Sequence, residues 1–129
     1  MTERRIRVLV VDDAVDHARL CTILLGAEPD MEVVGTLGTA DRLVETAVEL
    51  QPDVVLLDLR MPGRPSLDAL RELMQRRPQS RVIVCSGFDG PEYVEQSLAA
   101  GACDHFVKTV DVTEMIGLVR KAAAGSRPG

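Results

Sequence analysis

The amino-acid sequence predicts an α/β protein in which a parallel sheet carries helices on both faces. Strand-like and helix-like patterns alternate five times along the chain, as expected for βα units joined by right-handed crossovers. The strand-like runs are short and almost continuously apolar, which is typical of strands buried on both faces. A length of 129 residues, 46% of them hydrophobic, fits one domain of this kind.

The strands are predicted at runs of β-branched residues and leucine. The clearest are VLVV at 8–11 and VVLL at 54–57. The five predicted strands cover residues 7–11, 32–36, 54–57, 81–85 and 105–107.

The segments between the strands carry apolar residues at helical spacing. The first four helices are predicted at about 15–27, 39–50, 67–76 and 91–101, and the fifth has Asp111 as its N-cap. Pro91 at the start and Gly101 at the end of the fourth helix follow the usual preference of these residues. Asp111 with Glu114 three residues later fits a capping box.

Composition narrows the range of functions. A net charge of −5 and only three aromatic residues argue against direct nucleic-acid binding. No apolar run approaches the ~20 residues of a membrane span, and no apolar signal segment precedes the first strand, so we expect a cytoplasmic protein. The three cysteines, Cys21, Cys85 and Cys103, lack the spacing of a zinc site and are predicted to be buried free thiols.

Acidic residues follow two of the buried strands. Asp12 and Asp13 come directly after the first strand, and Asp58 comes directly after the third. Parallel strands bring their carboxyl ends to one edge of the sheet, where ligands of open α/β folds bind. Carboxylates brought together repel one another unless a hard cation joins them. The sequence therefore predicts a divalent cation site, with Mg²⁺ as the expected ion.

Two further polar residues follow the other predicted strands. Ser86 follows the fourth strand and Lys108 follows the fifth. A lysine can pair with a carboxylate or a phosphoryl oxygen as a point charge, and a serine hydroxyl can donate to another oxygen. Together with the cation they would allow one carboxylate to act as a nucleophile and accept a phosphoryl group.

At this point the chain resembles the receiver domains of two-component response regulators. The matching segments are VVDD at 10–13, LLDLRMPG at 56–63, CSG at 85–87, and GA at 101–102 followed by FVK at 106–108. The resemblance covers about residues 5–124. It implies a single doubly wound (βα)5 flavodoxin-like fold of strand order 2-1-3-4-5, with a receiver domain at 1–124 and a linker-like tail at 125–129.

The resemblance also implies a role for each site residue. Asp58 would be the phosphoacceptor. Asp13 and Asp58 would ligate Mg²⁺ directly, the backbone carbonyl of Arg60 would be a third ligand, and Asp12 would act through water. Lys108 would contact the phosphoryl group, and Ser86 would form a hydrogen bond to it and act in the switch.

The resemblance further implies partners. A histidine kinase would donate the phosphoryl group. The face formed by the fourth helix, fifth strand and fifth helix, at about 91–123, would form a homodimer or bind other proteins. The sequences around Asp58 and at 28–35 are most like those of receivers that carry a DNA-binding output domain. The resemblance therefore implies control of transcription, with DNA bound only by an output domain that is separate from these residues.

Some positions depart from the family pattern. His105 stands where many receivers have a tyrosine or phenylalanine that moves inward, so we predict a switch residue sensitive to protonation; the alternative is a surface histidine without that role. Thr109 replaces a common proline. Arg60 and Phe88 would either limit water access to the phosphoryl group or, for Arg60, be a solvated cation. Asp16 and His17, in the first turn of the first helix, are expected to be solvated groups or groups favoured by the helix dipole, and not ligands.

Two other functions stay open at this stage. The chain could be a receiver-like interaction module that works without phosphorylation, as the departures at His105 and Thr109 would allow. It could also be a phosphatase with an aspartyl nucleophile. Such enzymes typically place a second aspartate two residues after the nucleophile, where this chain has Arg60, so we do not expect a turnover enzyme.

Overall fold

A computed structural model of the chain describes residues 4–87, 91–108, 111 and 113–125. The strands are β1 (Ile6–Val11), β2 (Met31–Leu37), β3 (Val54–Asp58), β4 (Arg81–Ser86) and β5 (Asp104–Val107). The helices are α1 (Val15–Gly26), α2 (Leu43–Leu50), α3 (Ser66–Arg76), α4 (Pro91–Ala100) and α5 (Glu114–Gly125). Strand and helix alternate from β1 to α5, which confirms the predicted α/β class.

The five strands form one parallel sheet in the order β2-β1-β3-β4-β5, as the family resemblance implied. Asp58 pairs with Cys85, and Ser86 pairs with Val107. The carboxyl ends of β3, β4 and β5 therefore finish at one edge of the sheet, beside the end of β1.

The core has two layers because successive strand residues point to opposite faces of the sheet. On one face Leu9 and Leu57 pack with residues of α2, α3 and α4. On the other face Val10 and Leu56 pack with residues of α1 and α5. Both faces of β3 are fully covered, which explains why its sequence is apolar without alternation.

The second helix begins at Leu43, not at about 39 as predicted. The backbone N–H of Asp41 donates to the Thr39 hydroxyl at 3.2 Å, and the Asp41 carboxylate accepts the backbone N–H of Arg64 at 2.7 Å. These side-chain hydrogen bonds give the backbone an alternative to helix, so residues 39–42 form bends and a turn.

The fifth helix runs from Glu114. The Asp111 side chain accepts the backbone N–H of Thr113 at 3.0 Å, and the Asp111 carbonyl accepts that of Glu114; these are the hydrogen bonds of an N-cap residue, as predicted for Asp111. Gly125, predicted to open the tail, is the last residue of α5; the rest of the tail, Thr109 and Phe88 lie outside the described residues. Within the described ranges, no helix has both the length and the apolar character to cross a membrane.

Candidate functional site

The acidic residues predicted from the strand ends come together at the carboxyl edge of the sheet. Asp12 and Asp13 follow β1, and Asp58 is the last residue of β3. Each offers a carboxylate oxygen, and these oxygens lie within 4.8 Å of one another. Asp12 and Asp58 are buried, whereas Asp13 is exposed. Two of the carboxylates are thus held inside the protein while the third faces solvent.

Lys108 joins the two buried carboxylates. It comes directly after β5, and its Nζ lies 2.9 Å from Oδ2 of Asp12 and 2.9 Å from Oδ2 of Asp58. Burial alone would lower the pKa of Lys108, but its hydrogen bonds to the two carboxylates outweigh burial and raise that pKa. Lys108 is therefore a stable ammonium ion between the two acids.

Asp58 is held by backbone groups as well as by Lys108. Its Oδ1 accepts the backbone N–H of Arg60 at 3.0 Å, and its carbonyl accepts the buried hydroxyl of Ser66 at 2.7 Å. Burial raises the pKa of Asp58, the negative charge of Asp12 adds to this, and the two hydrogen bonds to the carboxylate offset it only in part. The ionised form of Asp58 is thus less favourable here than in water, which suits a group that reacts with a cation or a phosphoryl group.

Asp12 is held more tightly in its ionised form. Its Oδ1 accepts the backbone N–H of Ala14 at 2.9 Å, and its Oδ2 lies 2.7 Å from Nδ1 of His17. Burial raises the pKa of Asp12, but the hydrogen bonds from Ala14, Lys108 and His17 outweigh burial and lower it. Every oxygen of this carboxylate therefore has a partner.

His17 makes a contact that the sequence did not predict. Its side chain is only 19% exposed and contacts Asp12, so it is not a solvated group. It lies in the first turn of α1, five residues after Asp12. The sequence signal that could have found it is a histidine within the first turn after an acidic strand end.

Ser86 and His105 also lie together. Ser86 is the buried last residue of β4, and its Oγ is 3.1 Å from Nε2 of His105 on β5. The His105 side chain is partly buried and turned toward the serine, so it is not a fully solvated surface group.

Arg60 is exposed, and its side chain also contacts Tyr93. Its guanidinium lies 5.7 Å from the centroid of the Tyr93 ring, and Nη2 donates to the Tyr93 hydroxyl at 3.4 Å. Tyr93 is in α4, so this contact links the loop after β3 to that helix. A cation stacked on an aromatic face contributes modestly at exposed sites.

The residues present fit a hard divalent cation. Three carboxylates supply oxygen donors, and Mg²⁺ prefers oxygen ligands and retains part of its water shell when one side of the site is open. Asp13 provides that open side. The Lys108 ammonium and the Ser86 hydroxyl lie at the same edge of the sheet, and groups of these kinds stabilise phosphoryl oxygens.

The chain belongs to the response regulator receiver domain family, whose model matches residues 8–120. This confirms the resemblance inferred from the sequence motifs. The family consists of switch domains of two-component signalling and not of enzymes that turn over a substrate.

Individual relatives agree with this assignment. The transcriptional regulatory protein DegU of Brevibacillus brevis is 32% identical, over 97% of this chain and 53% of the relative. A protein-glutamate methylesterase/protein-glutamine glutaminase of Symbiobacterium thermophilum is 39% identical, over 96% of this chain and 37% of the relative. The structure of the NarL signal receiver domain of Mycobacterium tuberculosis is 29% identical with a TM-score of 0.90, covering 95% of this chain and 99% of that one. The chain spans about half, or less, of these curated relatives.

Proposed function

We propose that Asp58 is the phosphoacceptor of this receiver domain and that a histidine kinase is the donor. An Asp58 carboxylate oxygen would attack the phosphorus, the phosphorus–nitrogen bond to the kinase histidine would break, and its electron pair would stay on the ring nitrogen. The observation that carries the proposal is the contact of Lys108 with Asp58 at 2.9 Å. It keeps a positive charge where the incoming phosphoryl oxygens must lie.

Mg²⁺ is the proposed cofactor. When bound, it would neutralise charge on the phosphoryl group during transfer. Asp13 and Asp58 are the proposed direct ligands, with the Arg60 carbonyl as a third and Asp12 acting through water. The clustering of the carboxylate oxygens within 4.8 Å supports this set.

Lys108 and Ser86 would hold the product. The phosphoryl group adds negative charge with three acceptor oxygens, so Lys108 would contact one oxygen and the Ser86 hydroxyl would donate to another. Because Ser86 now contacts His105, its movement toward the phosphoryl group would deprive the histidine of that partner. This is the proposed route from phosphorylation to a change of conformation, with Ser86 and His105 as the switch pair.

The role of His105 can be tested by substitution. If the contact of its Nε2 with the Ser86 hydroxyl belongs to the switch, His105→Tyr should change the gain in partner binding that phosphorylation produces. Partner binding should be measured for both proteins with and without phosphorylation. Equal gains in the two proteins would remove His105 from the switch.

The proposed output surface comprises α4, β5 and α5, at about 91–123. It would mediate homodimer formation or contact an output domain, and DNA would be reached only through such a domain. The transcriptional regulatory relatives support control of transcription. The methylesterase relatives make an esterase domain the second candidate for the output.

The test of the phosphoacceptor is Mg²⁺-dependent incorporation of phosphate from a small phosphodonor. The unmodified chain should incorporate phosphate with Mg²⁺ and not with EDTA. Asp58→Asn should not incorporate it, whereas Asp68→Asn, which changes an exposed acid on α3, should behave as the unmodified chain. Undiminished incorporation in Asp58→Asn would refute the assignment. An unmodified chain that no donor or kinase labels would favour the interaction module that works without phosphorylation.

A further inference from the structure

The opposite edge of the sheet, where the strands begin, holds a cavity lined by arginine. Its volume is about 440 Å³, and its lining includes four arginines and two aspartates: Arg4, Arg5, Arg77, Arg120, Asp30 and Asp53. This volume lies within the range of roughly 300–1,000 Å³ found for small-molecule sites. Four arginines around one cavity are unexpected in a chain of net charge −5. The site residues described above all lie at the other edge.

Two of these arginines are neutralised by carboxylates. Arg4 forms an ion pair with Asp53 at 2.9 Å. Arg120 pairs with Asp30 at 2.9 Å and also with Glu28. These ion pairs hold side chains in place around the cavity, from Arg4 before β1 and Asp53 before β3 to Arg120 on α5.

The other two arginines, Arg5 and Arg77, differ in that no described residue forms an ion pair with them. Arg77 donates from Nη2 to the Pro52 carbonyl at 3.3 Å, but its Nε is buried and finds no acceptor within the described part of the chain. Because this Nε has no exposed surface, a molecule in the cavity would contact the terminal Nη groups of Arg77.

The charges around Arg77 also favour a bound anion. Burial lowers the pKa of the Arg77 guanidinium, the negative charge of Asp53 partly offsets this, and the positive charge of Arg4 adds to it. A positive group held partly out of water beside a like charge is stabilised by an anion.

We propose that this cavity binds a small phosphate-bearing molecule, with Arg5 and Arg77 as its principal contacts. A guanidinium presents a rigid fork of N–H donors that matches two phosphate oxygens. A phosphate monoester carries close to two negative charges at pH 7, which balances the two arginines that form no ion pair with a described residue. The cavity is also larger than a single carboxylate requires. This site is independent of Asp58 phosphorylation, so either proposal can fail without the other.

The experiment follows the side-chain Nε–Hε signals of arginine by NMR while phosphate compounds are added. Inorganic phosphate, pyrophosphate and a mononucleotide are titrated in EDTA, which keeps divalent cations away from Asp58, and succinate at equal ionic strength is the carboxylate comparison. We expect a saturable shift of the Arg77 Nε–Hε signal with at least one phosphate compound. Succinate should bind clearly more weakly.

Matched variants locate the site. Arg5→Gln and Arg77→Gln should each weaken binding about tenfold, the loss expected for one charge-assisted contact. Arg71→Gln changes the charge by the same amount at an exposed position of α3 and should leave binding unchanged. Because Arg5 is exposed, its substitution tests the site even if Arg77→Gln does not fold.

Three outcomes would overturn the proposal. One is the absence of a saturable shift with every phosphate compound. Another is equal weakening in Arg71→Gln and Arg5→Gln. The third, succinate binding as tightly as phosphate, would refute the phosphate class.

Discussion

Replacing Lys108 with methionine should destabilise the protein, because one ammonium group neutralises two buried acids. Lys108 Nζ lies 2.9 Å from both Asp12 and Asp58, and the side chains of these two acids are only 5% and 6% exposed. Removing one member of a buried ion pair costs about 3–5 kcal/mol. The Lys108 side chain is 18% exposed, so we expect the lower end, about 3 kcal/mol, or roughly 10 °C in Tm for a domain of this size.

The assay is unfolding by urea and by heat, in EDTA and in Mg²⁺. The ammonium group and the cation compete for the same carboxylate oxygens, so Lys108→Met should bind Mg²⁺ more tightly, by about tenfold or more, equivalent to about 1.4 kcal/mol. Mg²⁺ should therefore restore part of the lost stability. Lys121→Met, which changes an exposed lysine of α5, is the control and should have little effect. If Lys108→Met is as stable as the unmodified chain in EDTA, Lys108 does not neutralise the two buried acids. If it binds Mg²⁺ more weakly than the unmodified chain, the ammonium group does not compete with the cation.

Three further predictions concern single residues. Gly101 has φ +118°, and an added Cβ would lie 2.5 Å from Cγ of Met74. Gly101→Ala should therefore lower the free energy of unfolding, measured in urea, by about 2 kcal/mol or more. Gly117 in α5 has open space around it, so Gly117→Ala should raise the free energy of unfolding by up to about 1 kcal/mol. Burial raises the pKa of Cys21 to about 11, so mass spectrometry should find it slowly alkylated at about pH 8 when folded and rapidly alkylated in urea; equal rates would contradict its burial. The pKa of Asp12 is lowered from 3.8 in the folded state, so its contribution to stability is present above that value and is lost as pH falls through the folded value. The free energy of unfolding in urea should therefore fall less steeply at acid pH in Asp12→Asn than in the unmodified chain. An equally steep fall in both proteins would contradict this prediction.

Much of the sheet could be predicted from the sequence because its strands are buried on both faces. The apolar runs at β1 and β3 have no other stable place in a soluble domain, and the acids that follow them mark the carboxyl edge. Once the strands are parallel, the meeting of Asp12 and Asp58 follows from topology. Lys108 and Ser86 follow for the same reason. The strand order itself came from the family resemblance and not from the pattern.

The remaining features depend on contacts between distant segments. The late start of α2 depends on Asp41, whose carboxylate binds the backbone of Arg64 twenty-three positions later. The contact of His17 with Asp12 depends on how α1 packs over the sheet. The cavity around Arg77 is assembled from the starts of several strands and the end of α5. Helical spacing and residue type carry no information about such juxtapositions, so these features emerged only from the structure.

The most direct test of Asp58 as the phosphoacceptor is to locate the phosphoryl group on the chain. After incubation with Mg²⁺ and a small phosphodonor, an acyl phosphate can be reduced with borohydride, which converts the modified aspartate to an alcohol that a peptide mass identifies. We expect the reduced residue to be Asp58 and no other acid of the cluster. Reduction at Asp12 or Asp13, or a phosphorylated protein with Asp58 unmodified, would contradict it.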